Sequence, residues 1–106
     1  MTVDVLGTKY EIIQSDKLKD NTLEQHDGYC DFTTKKIVID TFKHFPGCVE
    51  DLDKYRKQVI RHELVHAFLF ESGLDSSSWG NNEEIVDWIA IQSIKLFDVF
   101  NKMDLI

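Results

Sequence analysis

From about Val49 to Ser72 the chain contains neither proline nor glycine, and the run closes on Gly73. A strand of a small domain has no use for such a length, whereas a helix of several turns fills it. Leu52, Tyr55 or Arg56, Val59, then Ile60, Leu64 and Phe68 recur along it at three- and four-residue spacing. That spacing gives the helix one apolar face that must be covered. Gly73 stands where a left-handed C-terminal cap belongs, and His44-Phe45-Pro46-Gly47 breaks the chain before the helix starts.

The residues before the break read as strands. Thr2 to Leu6 and Lys9 to Gln14 are β-branched and aromatic runs joined at Gly7-Thr8, which predicts a hairpin. Asp16 to Asp27 is polar, with Leu18 and Leu23 scattered in it, and reads as a loop or short irregular helix. Tyr29 to Phe32 and Lys36 to Asp40, turning at Thr33-Thr34-Lys35, make a second hairpin. After the long helix and a serine-rich connection, Glu83 to about Asn101 is a second helical run. Its apolar stripe is Ile85, Trp88, Ile89, Leu96 and Phe100, and Asn81 is its predicted cap. Strands first and helices last predict an α+β domain over 1–106. It comprises a small antiparallel or mixed sheet of about three to four strands packed with two main helices.

Composition narrows the function. The chain has 106 residues, 42% hydrophobic and 29% charged, which suits an ordinary globule and disfavours disorder or a coiled coil. A formal charge of −7 repels phosphate backbones, so no nucleic acid is expected as a ligand. No apolar run reaches the ~18 residues of a membrane span, and Met1 to Tyr10 lacks the pattern of a secretory leader. A cytoplasmic protein is therefore expected. Cys30 and Cys48 are too few for a disulfide framework and are expected as buried free thiols.

The chemistry concentrates in His62-Glu63-Leu64-Val65-His66, an HExxH motif inside the long helix. Residues at i and i+4 share a helix face about 5–6 Å apart, so both imidazoles can reach one metal ion. Glu63, one step round, is placed to act on a metal-bound water as general base. In a chain with four histidines the motif arises by accident on the order of once in a hundred sequences. The plain alternative is two ordinary histidines beside a core.

A zinc ion needs a third protein ligand, with the fourth position left to water in a catalytic site. The second helix opens with Glu83 and Glu84. If Asn81 caps it, Glu84 takes the third helical position and can close a capping box, which leaves Glu83 as the preferred ligand. Asp87, four residues on, shares its face and can accept a hydrogen bond from an imidazole, fixing its tautomer. Acidic residues also favour helix N-termini through the dipole alone.

His62-Glu63-Leu64-Val65-His66 followed by Glu83 and Asp87 resembles the gluzincin metallopeptidases. Size and element order resemble the minimal members, including small phage or prophage zincins and the ImmA/IrrE-like peptidases. Arg61 to Gln92 carries the resemblance; Val86-Asp87 departs from the small-residue-plus-asparagine signature of the ImmA/IrrE group. The resemblance implies Zn²⁺ on His62, His66 and Glu83, Glu63 as the catalytic base, Asp87 behind a ligand, and a protein or peptide substrate. It also implies an edge strand that receives the substrate, for which Lys36 to Asp40 is the expected element. Tyr55 and Tyr29 are possible oxyanion donors, with aromatic packing as their alternative role.

Other readings stay open. A zincin scaffold can sequester a regulatory protein without turnover, and a zinc with four protein ligands would be structural. His26 with Cys30 and His44 with Cys48 share an HxxxC spacing that suits a second zinc or, more plainly, cysteines packed as small hydrophobes. Trp79 and Trp88, flanking Glu83, are expected to shield the metal or to pack in the core, where Phe68, Leu69 and Phe70 are also expected. The oligomeric state and the substrate are not legible.

Overall fold

A computed structural model describes residues 1–43 and 50–106. The Pro46-Gly47 break and the pair His44 and Cys48 lie outside the described residues. The elements run β1 (Thr2–Val5), β2 (Thr8–Ser15), a single 3₁₀ turn (Asn21–Glu24), β3 (Gly28–Asp31), β4 (Lys36–Asp40), α1 (Leu52–Glu71) and α2 (Glu83–Lys102). The expected α+β class is what the chain adopts: a four-stranded mixed sheet with two helices.

The sheet order is β1-β2-β4-β3. β1 pairs antiparallel with β2 through the turn Leu6-Gly7, one residue earlier than expected; positive φ at both residues (50° and 92°) matches the twist a tight hairpin needs. β2 runs parallel to β4, and β3 antiparallel to β4. The Asp31 carboxylate holds the β3–β4 turn by accepting from the backbone N–H of Thr33 and Thr34.

This order corrects the expectation that Lys36 to Asp40 forms the edge. β4 is interior, and its run Ile37-Val38-Ile39-Asp40 is buried throughout, as a strand paired on both sides and covered on both faces should be. The edge is β3.

Val5, Tyr10, Ile12, Ile37 and Ile39 of the sheet form one core cluster with Val59 and Ala67 of α1. α1 begins at an Asp51 cap whose carboxylate accepts from Lys54 N–H. It ends at Gly73 (φ 82°), where the N–H groups of Gly73 and Leu74 return to the carbonyls of Phe70 and Leu69. Below that end, Glu71 accepts from the Thr8 and Tyr10 hydroxyls and from Lys35 Nζ at 2.7, 2.7 and 3.0 Å. Together they pull the Glu71 carboxyl down from its ordinary 4.5 to about 2. One carboxylate thus locks the helix to both hairpins.

α2 is capped by Asn82, whose side chain accepts from Ile85 N–H at 3.1 Å, not by Asn81. Asn81 is consumed by the preceding loop: its N–H bonds Ser77 O and its amide bonds Ser76 O. Glu84 therefore sits one position too early for a capping box. Only Val86 and Ala90 of α2 are buried. Of the residues expected in the core, Leu69 is buried, but Phe68, Phe70, Trp79 and Trp88 are 37–57% exposed. Phe70 instead stacks on Phe32, centroids 4.3 Å apart. Among the described residues no helix is long and apolar enough to cross a membrane.

Candidate metal centre

α1 carries His62, Glu63 and His66 across the sheet, with Val59 and Ala67 buried beneath and the imidazoles turned toward α2. Their rings lie 5.0 Å apart, centroid to centroid, as one turn of helix dictates. The loop 74–81 reverses the chain so that the first residue of α2 reaches them. Gly80 makes that reversal possible: a β-carbon there would fall 1.9 Å from the Asp75 carbonyl oxygen.

Glu83 Oε2 lies 3.0 Å from His62 Nε2, and Glu83 Oε1 lies 3.1 Å from His66 Nε2. Ligand atoms of all three residues fall within 4.8 Å of one another. Ligands about 2.0–2.2 Å from a tetrahedral zinc stand about 3.3–3.6 Å from each other, so the two His–Glu separations need only a small expansion to hold one. Glu83 is two-thirds exposed and free to supply it.

The partners of His62 sharpen the fit. Asp87 Oδ1 faces its Nδ1 at 3.0 Å while Glu83 Oε2 faces its Nε2 at 3.0 Å. A neutral imidazole has a single N–H, and carboxylates only accept, so one of these two contacts requires a cation between acceptors. That cation is a second proton or a metal ion. With Nδ1–H donated to Asp87, the Nε2 lone pair is left pointing at the cluster.

Glu63 is buried beside the imidazoles, 8% exposed. Burial pushes its carboxyl above the ordinary range; Glu83 adds to the push, and His62, His66 and His26 oppose it. A carboxyl raised in this way holds a proton more readily than an exposed one.

Two adjoining clefts of about 610 and 470 Å³ open on His62 and Glu63. Gly28, where β3 begins, lines both, and Tyr29, Cys30 and Phe32 line the larger. The Tyr55 hydroxyl donates to Asp27, and the Tyr29 hydroxyl to Asp20. Each prospective oxyanion donor is thus already committed to a carboxylate, and the Tyr55 ring packs edge-on against Phe42. Neither tryptophan is among the residues lining these clefts. Cys30 is half-buried, with its thiol pushed up to about 12, chiefly by burial and then by Glu63. A thiol raised in this way is a weak nucleophile.

His26, noted in the sequence only for its spacing to Cys30, lines both clefts with Glu63. It precedes β3 in an irregular loop, where no periodicity announces which side chains meet the helix. Asp27 and Asp75 reach the clefts from loops in the same way. No family model, curated protein or solved structure matches the chain, so the site is read from its geometry.

Proposed function

We propose that the chain is a zinc-dependent metallopeptidase of gluzincin type, acting on a protein or peptide in the cytoplasm. The carrying observation is the convergence of His62, His66 and Glu83 with a buried Glu63 alongside. In this reading those three residues hold Zn²⁺ and Asp87 orients His62. Bound zinc would supply a Lewis acid for the peptide carbonyl and lower the pKa of its water towards ~7.

Beside a metal so held, Glu63 would be the residue that holds a proton and passes it to the leaving amine, a role its raised proton affinity suits. β3 offers the unpaired sheet edge beside the cleft, so an extended substrate adds there as a further strand. The openness of Glu83 and the width of the cleft leave room for water and substrate, unlike a closed structural zinc site.

Glu63→Gln tests the reading. The variant keeps one zinc per chain and loses cleavage of a peptide library. A variant that cleaves as well as the parent removes Glu63 as base, and a parent that binds zinc without cleaving any peptide or protein favours the sequestering module.

A further inference from the structure

α2 is a 20-residue helix that buries only Val86 and Ala90. Helices in proteins owe most of their stability to a covered apolar face. This one leaves Leu96 41%, Phe97 56% and Val99 49% exposed. Beside it runs a groove of about 540 Å³, walled by Leu64 and Phe68 of α1, Trp79 of the loop, and Ile89 and Phe97 of α2. Its guanidinium, that of Arg61, is tied to the Ala90 carbonyl at 2.6 Å.

The charges of α2 avoid this groove. At about 100° per residue, Asp87, Lys95, Asp98 and Lys102 fall on one arc, and Ile89, Ser93, Leu96, Phe97 and Phe100 on the opposite one. The one charge on the groove, Arg61, is turned onto the Ala90 carbonyl, so an acidic chain of net charge −7 presents here a face without a carboxylate. Neither a basic partner nor an anionic bilayer is drawn to it, while two copies can meet across it without like charges in contact.

We propose that this face is the contact between two copies of the chain, related by a two-fold axis. Such a contact requires knob and socket on the same surface. The Phe97–Phe100 ridge, ring centroids 6.4 Å apart, stands next to the groove. The area suffices: Phe68, Trp79 and Phe97, each about half exposed, offer about 100 Å² apiece. With Leu96, Phe100 and the groove floor the patch comes to about 600 Å², close to the ~800 Å² per partner of a stable complex once a polar rim is added. Burial would also brace the helix that carries Glu83.

Sedimentation equilibrium with the full chain tests this. The expected mass is twice 12.4 kDa, with dissociation at about 10 µM or tighter. Phe97→Asp and Phe68→Ser each give the mass of one chain with helical circular dichroism retained, whereas Asp98→Ala, on the charged arc, stays dimeric. A parent that sediments as one chain at these concentrations overturns the proposal. A dimer that survives both groove substitutions does so too, as does a monomer that binds neutral phosphatidylcholine vesicles, which would give the face to lipid.

Discussion

Asp87→Ala isolates the residue behind the proposed ligands. Its carboxylate accepts from His62 Nδ1 at 3.0 Å, and its side chain is 54% exposed against 20% for His62. Losing it leaves His62 free to rotate and to place its proton on Nε2, the atom that would bind the proposed zinc. Partners of this kind contribute about 10–100-fold to metal affinity, or about 1.4–2.8 kcal/mol at 1.4 kcal/mol per decade. An exposed ion pair contributes only about 0–1 kcal/mol to folding, so the metal-free melting temperature should barely move. Competition with a chromophoric chelator at neutral pH reads the affinity. Asp87→Asn, which keeps an acceptor but loses the charge, falls between parent and alanine. Glu84→Ala, which removes a charge from the same helix end without touching an imidazole, is the control. If Asp87→Ala binds zinc within twofold of the parent while Glu83→Ala has lost it, the proposed role of Asp87 is wrong.

His62→Ala, His66→Ala and Glu83→Ala each abolish stoichiometric zinc, measured by metal analysis after dialysis, while Glu84→Ala retains it; equal small losses at both glutamates would mean neither is a ligand. Glu71 is held at about 2 in the folded chain against an ordinary 4.5, so its stabilisation is complete above pH ~4.5 and vanishes as pH falls towards ~2. The melting-temperature gap between parent and Glu71→Gln should therefore be widest near neutrality and close over that acid range; a constant gap refutes the linkage. Gly80→Ala puts a β-carbon against backbone at Asp75 and should cost about 1–3 kcal/mol or more, while weakening zinc binding because the loop aims Glu83. Gly28→Ala meets the movable Cδ1 of Ile39 and the stiff, buried Cγ1 of Val59 at 2.9 Å and the Val38 carbonyl at 3.1 Å, so its cost should also be about 1–3 kcal/mol, with zinc affinity retained.

What the linear chain determined is whatever depends on near neighbours. The spacing of His62 and His66 places them on one turn, the glycine at 73 stops α1, and alternation marks the strands, because helix and strand periods act over a few residues. Pairing Glu83 and Asp87 with the motif required only that two adjacent helices turn back on each other. Tertiary structure decided the rest. Whether Lys36 to Asp40 lies inside or at the edge depends on its parallel pairing with β2, a contact between distant segments whose hydrophobic pattern allows either place. Asn82 displaced Asn81 as cap because loop hydrogen bonds claimed the latter. His26, Asp27 and Asp75 entered the cleft from irregular segments, where side-chain direction follows from packing and not from period. The exposure of Trp79, Trp88 and Phe97 has the same origin: apolar character calls for burial, but only the assembled surface shows how much of it this chain supplies for itself.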